Sequence, residues 1–238
     1  MSALKTPEKT SRRQELRKNK IVELYARALL FYEDHPNIVY GLGVGFLALV
    51  LAVPGYMYWQ QQRQQQANEL LGQVLPIYER GQYQQALDGS GGEAGLLEIA
   101  DSYGGTSAGN LATYYAGNAL YQTDQYDRAL TYFQQFEKGS NFIGASAYAA
   151  QASIQENRGN FAQAAELYEQ AANQYENSLT TPRYLLEAGR AYEEAGNYTA
   201  AEGAYQQIRD DYPDSNQASS AEQYLARVRA RLNGASSS

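Results

Sequence analysis

The chain has 238 residues, no cysteine, and 19 Lys/Arg against 26 Asp/Glu, a formal net charge of −7. Without cysteine there are no disulfides, no thiolate nucleophiles and no Cys-based zinc or iron–sulfur sites. The charges are unevenly divided: residues 1–37 hold eight Lys/Arg and five acids, residues 60–238 hold 11 and 21, and so acidic a body argues against DNA or RNA as a partner.

In chain order, residues 1–10 are polar and expected to be disordered. Residues 14–34 then carry apolar side chains at Ile21, Leu24, Tyr25, Ala28, Leu29 and Tyr32, which is helical spacing. Basic residues crowd the start of this stripe. His35-Pro36 ends it, because a residue before proline avoids the helical region. Such a helix suits the headgroup layer of a membrane or a docking site on a membrane partner. It suits equally a topogenic flank without any partner, since anionic lipid attracts any such segment. His35 is the only histidine and has no fixed ligand neighbours, which makes it a plain interfacial residue.

Residues 38–59 contain no Asp, Glu, Lys, Arg or His. As a helix they span about 33 Å, enough for a hydrocarbon core of about 30 Å. Tyr40 stands at one end and Tyr56, Tyr58 and Trp59 at the other, as interfacial aromatic belts do. Pro54 falls near the outer end, where a local kink is tolerated. A cleaved signal peptide is the competing reading. The leader is too long for it and no clean small-x-small site follows, so an uncleaved anchor in the lipid bilayer is expected. Gly41-x-x-x-Gly45 permits close helix packing, although glycine is common in membrane helices without that role. Eight Lys/Arg precede the span, and only Arg63 and Arg80 follow closely. The positive-inside rule therefore places the amino terminus in the cytoplasm and the remainder outside; in a bacterium that means an inner-membrane protein with its repeats in the periplasm.

Residues 60–106 read as a helical stalk followed by a degenerate repeat, Gly81-Gln82-Tyr83-x-x-Ala86, a glycine-rich loop from Asp88 to Gly95, and a short helix over 96–103. Residues 107–214 then write one pattern three times. Ala116-Gly117-x-x-Leu120 leads to Tyr126-x-x-Ala129-x-x-x-Phe133. Phe161-x-x-Ala164-x-x-x-Tyr168 restates the second clause, and Ala188-Gly189-x-x-Tyr192 with Tyr198-x-x-Ala201-x-x-x-Tyr205 restates both. Tyr126, Phe161 and Tyr198 lie 35 and 37 residues apart, close to the period of about 34 of a tetratricopeptide repeat. Asp124-Gln125, Gly159-Asn160 and Gly196-Asn197 supply the turns between paired helices. Thr181-Pro182 reads as an N-cap followed by proline at the first helical position. Residues 215–232 should cap the array, ahead of a frayed tail to residue 238.

Most of the 22 tyrosines and six phenylalanines fall at repeat positions, and aromatics at helical spacing are usually core. Some do not. In the repeat register Tyr114, Asn118 and Tyr121 point from the first helix of a pair into a groove, and Arg183, Leu186 and Arg190 occupy equivalent places in the last repeat. A groove of this composition can grip an extended peptide by stacking and hydrogen bonding; an ordinary solvated surface accounts for the same residues. Adjacent acids such as Glu193-Glu194 diverge on a helix rather than converge. No nucleophile–base pair, metal cluster or nucleotide motif appears, so neither catalysis nor a cofactor is expected.

These motifs resemble the tetratricopeptide superfamily over roughly residues 108–214. The departures are a missing tryptophan at each repeat start, Ala152 where glycine is usual and Gln155 where an aromatic is usual. The resemblance implies an α-solenoid that binds polypeptides; with the apolar span, the chain is expected to be all-α, a single N-terminal transmembrane helix followed by a tetratricopeptide-repeat α-solenoid. The wider layout of basic leader, early span and outward acidic repeats resembles the ancillary SecYEG translocon subunit family. Gly104-Gly-Thr-Ser-Ala-Gly-Asn-Leu-Ala-Thr-Tyr-Tyr-Ala-Gly117 and Leu179-Thr-Thr-Pro-Arg-Tyr-Leu-Leu-Glu-Ala-Gly189 are similar to its version in Bacteroidota-type bacteria. That resemblance implies Sec translocon subunits, periplasmic chaperones or exported polypeptides as partners.

Overall fold

A computed structural model describes residues 12–235. The leader expected to be disordered over residues 1–10, and the end of the tail, lie outside the described residues. Those residues form helices and no strand; an isolated bridge between Ser90 and Glu93 closes the glycine-rich loop. The chain divides into two units, Met1–Trp59 and Gln60–Ser238.

The first unit contains α1 (Arg12–Asp34) and the start of α2 (Pro36–Glu79), with His35 alone between them. Pro36 opens α2 because its missing N–H and fixed φ suit a first helical position. Across this junction the Tyr32 and Tyr40 hydroxyls bond at 3.0 Å. Among the described residues α2 is the one helix long and apolar enough to cross a membrane, and its leucines, valines and aromatics from Tyr40 to Trp59 stand exposed.

The second unit begins with the remainder of α2 and continues through α3 (Tyr83–Asp88), α4 (Leu96–Tyr103), α5 (Ser107–Gln122), α6 (Tyr126–Gln135), α7 (Phe142–Asn157), α8 (Phe161–Gln174), α9 (Thr181–Glu194), α10 (Tyr198–Asp211) and α11 (Ala218–Ala235). α5/α6, α7/α8 and α9/α10 are the three helix pairs. One turn joins each pair and also joins α2 to α3. Gly81, Asp124, Gly159 and Gly196 adopt φ of 74°, 58°, 77° and 76°. The next amide in each case reaches back five residues, as Gln125 to the Leu120 carbonyl at 2.9 Å and Asn197 to Tyr192 at 2.8 Å. This is the Schellman ending, which satisfies orphan carbonyls when one residue turns left-handed. Asp124 is the non-glycine among the four, and its carboxylate accepts the Tyr126 hydroxyl at 2.7 Å.

The start of α9 differs from the sequence expectation. Thr181 is the first helical residue and Thr180 holds the cap position without a side-chain cap bond. Asn177 organises this loop instead. Its Oδ1 accepts from the Leu179 and Thr180 amides at 3.0 and 2.8 Å, and its own amide donates to Thr181 Oγ1 at 2.9 Å. Likewise α11 begins at Ala218, because residues 215–217 form a turn in which Ala218 donates to the Ser215 carbonyl.

The core of this unit has two apolar clusters. One gathers Leu71 and Val74 of α2 with Leu96, Ile99, Leu120 and Phe133; the other gathers Tyr168, Tyr184, Tyr205, Ile208, Leu225 and Val228. α7 contributes to both, with Ala147 and Ile154 in the first and Ala145 and Ala152 in the second.

Within each pair a small residue faces a large ring. Gly117 lies under Phe133, where an added Cβ would sit 3.0 Å from the ring, and Gly189 lies closer still under Tyr205. Ala152 takes the equivalent place opposite Tyr168, which is 7% exposed where Phe133 and Tyr205 are fully buried. The rings that carry a hydroxyl have a carboxylate to receive it. Tyr168 donates to Glu156 at 3.1 Å and Tyr205 to Glu193 at 2.8 Å. In the first pair the ring is Phe133, needs no acceptor, and Tyr121 stands where the glutamate would be. Glu193 is also gripped by Arg227 of α11 at 2.5 and 3.1 Å, so the capping helix is tied to the last pair through one buried carboxylate.

Burial, reinforced by nearby glutamates, raises Tyr168, Tyr192 and Tyr205 well above the usual phenol range. The unfolded chain loses these protons near pH 10 while the folded chain retains them. Their contribution to stability is therefore complete below about pH 10 and falls as the pH rises beyond it. Urea unfolding of residues 60–238 is expected to show a steep loss between about pH 9 and 11. Tyr205→Phe should flatten that loss while lowering neutral-pH stability by about 1 kcal/mol; an unchanged pH profile would refute the assignment.

Candidate protein-binding face

The first helices of the pairs, α5, α7 and α9, lie in register. Asn118, Ser153 and Arg190 occupy one repeat position, and Tyr114, Ala149 and Leu186 another. Neighbouring helices are bridged along this row. Tyr121 and Ser153 share a hydrogen bond at 2.9 Å between α5 and α7, and Ser146 meets the Tyr184 hydroxyl at 3.5 Å between α7 and α9. On the other side Tyr78 of α2 donates to Asn118 at 2.9 Å.

The candidate residues take different places in this arrangement. Tyr114 is half-buried, its ring centroid 6.0 Å from Phe133 and 5.5 Å from Phe136. Burial raises its hydroxyl above the usual range, against opposing hydrogen bonds from Ser146 and Asn118. Tyr121 packs edge-on to Tyr126 at 5.3 Å. Leu186 is half-buried against the second cluster. Arg183 and Arg190 are exposed on α9, two turns apart, and open on separate clefts. Arg183 lines a cleft of about 480 Å³ with Phe142, Leu179 and Asp214. Arg190 pairs with Glu187 at 2.8 Å and lines a cleft of about 570 Å³ with Glu194, Arg227 and Arg231. Neither cleft includes Tyr114, Asn118 or Tyr121. The structure thus joins the tyrosine set to its neighbours by hydroxyl bonds and holds the arginines apart.

Two of those neighbours, Ser146 and Ser153, escaped the sequence reading although the signal was present. The register that selects Arg183 and Arg190 selects these serines in the pair before. Tyr78 carried the same signal, since it stands five residues before Tyr83 as Tyr121 stands five before Tyr126. The same register matches Tyr121 with Glu193, which is buried against Tyr205 and also lines the Arg190 cleft.

Paired helices stacked by a short repeat, with a half-buried polar and aromatic row along their first members, define a helical-repeat scaffold for protein–protein interaction. Residues 111–138, 147–178 and 183–215 match the tetratricopeptide repeat family. These three segments fall on the three helix pairs, which therefore have the form of tetratricopeptide repeats. Among solved structures it is similar to nearly identical tetratricopeptide-like repeats from Podosopora anserina, described as of a kinesin light chain. The identity is 16% and the TM-score 0.50, over 71% of this chain and 87% of that one. A variant of the same repeats matches equally well. No curated protein matches the chain.

Proposed function

We propose that the protein is a bilayer-anchored scaffold whose repeats face the periplasm and serve exported polypeptides beside the Sec translocon, as a tethered chaperone or chaperone recruiter. The observation that carries this reading is a tetratricopeptide-like array that follows, later in the sequence, one exposed apolar helix. Tethering at a membrane raises the local concentration of a binding surface at any channel it docks on. The excess of Lys/Arg before that helix supports the outward placement of the repeats, and the resemblance in layout to ancillary translocon subunits supports the choice of partner.

A second reading is a scaffold for another envelope assembly or division complex that never meets unfolded chains. The hydroxyl bridges from Tyr78 to Asn118 and from Tyr121 to Ser153 favour it, because a pre-organised surface suits a folded partner. Photo-cross-linkers in place of Asn118, Tyr121 and Arg190 separate the two. Channel subunits or several exported chains are expected as adducts. Recovery of one folded envelope protein and no channel subunit would discard the translocon reading. Protease added to spheroplasts should digest the repeats and spare a tag ahead of residue 37; a protected repeat unit would reverse the topology.

A further inference from the structure

An anchor needs only the apolar part of α2, yet α1 before it is two-sided. Leu24, Tyr25, Leu29 and Tyr32 recur at helical spacing and are 73, 67, 42 and 41% exposed. Glu23 and Arg27 pair across a different face at 2.6 Å, both exposed. Ahead of the apolar stripe, residues 12–20 contain Arg12, Arg13, Arg17, Lys18 and Lys20 against a single Glu15. A single non-helical residue, His35, joins this helix to the apolar α2, and the Tyr32–Tyr40 bond spans the joint.

We infer that α1 lies in the plane of an anionic lipid surface, with Leu24, Tyr25, Leu29 and Tyr32 at the headgroup–acyl boundary and the basic first turns against lipid phosphates. This rests on the anchor reading of α2. The charge selects the occupant. A protein groove accounts for the apolar stripe alone, whereas an anionic bilayer accounts for the stripe, the cationic start and the tyrosines together, since amphipathic rings favour that boundary.

The absence of cysteine makes a direct test possible in the full chain. Single substitutions Tyr25→Cys and Leu29→Cys place an environment-sensitive dye on the stripe, Glu23→Cys on the opposite face and Leu47→Cys in the span. The labelled protein is reconstituted into nanodiscs of phosphatidylcholine, alone or mixed with phosphatidylglycerol, so that both faces are open to the neutral quencher acrylamide. In mixed discs the dyes at 25 and 29 are expected to shift to the blue and to be quenched several-fold less than the dye at 23. Replacing the five Lys/Arg of residues 12–20 with Gln should reduce that difference. Equal quenching at 23, 25 and 29, with 47 shielded, would overturn the inference while leaving the anchor intact. Quenching at 47 would overturn the anchor and this reading with it. Equal shielding in both lipid mixtures would overturn the requirement for anionic lipid.

Discussion

Gly189→Leu is expected to destabilise residues 60–238 by about 3 kcal/mol or more, since overpacking a filled site forces rings off their rotamers. The Tyr205 ring occupies the space where even a single Cβ would go, and it cannot retreat while its hydroxyl is bonded to buried Glu193. For a unit of this size the loss corresponds to a fall in Tm of about 6–12 °C, readable by circular dichroism. Gly203 is the control. It lies on the exposed side of α10 with nothing within 4 Å of an added Cβ, and Gly203→Ala should gain about 0.5–1 kcal/mol from helix propensity. If Gly189→Leu melts like the parent, α9 and α10 are not in the close contact described.

The second large effect is at Phe133. It is fully buried, and Phe133→Ala should cost about 3–5 kcal/mol through lost burial and the cavity left behind. Tyr114 gives the informative comparison. A side chain that merely lines an open groove tolerates truncation, whereas one packed against Phe133 and Phe136 does not. Tyr114→Ala is expected to cost about 1–3 kcal/mol, and Tyr114→Phe about 1 kcal/mol or less through the hydroxyl alone. Urea denaturation of the three variants orders them; no loss in Tyr114→Ala would return that ring to the groove.

The helix pairs were legible because their signals are local and recur. Left-handed residues at 124, 159 and 196 must end a helix wherever they stand, and the aromatic and alanine spacing after them has only one helical reading. That Gly117 lies under Phe133 is a finding of the structure, since spacing alone does not say which ring meets which small residue. The start of α9 was not legible either, because Asn177 draws the loop's hydrogen bonds to itself from four residues upstream. The binding face was legible only as a list of positions. Whether Tyr121 is free or bonded to Ser153 depends on the lateral spacing of α5 and α7, which no local pattern encodes. Nor does repeat register alone reveal that Arg183 and Arg190, two turns apart on one helix, open on different clefts.

α7 has a consequence for how the chain is made. The first apolar cluster needs nothing beyond Ile154, whereas the second takes in nothing before Ala145. A polypeptide emerging amino end first can therefore close its first core while the second is still to be synthesised. Repeat arrays, whose units contact only their neighbours, permit this stepwise growth. α7 is then the template on which the late half assembles, burying alanines such as Ala152 only when α8 arrives.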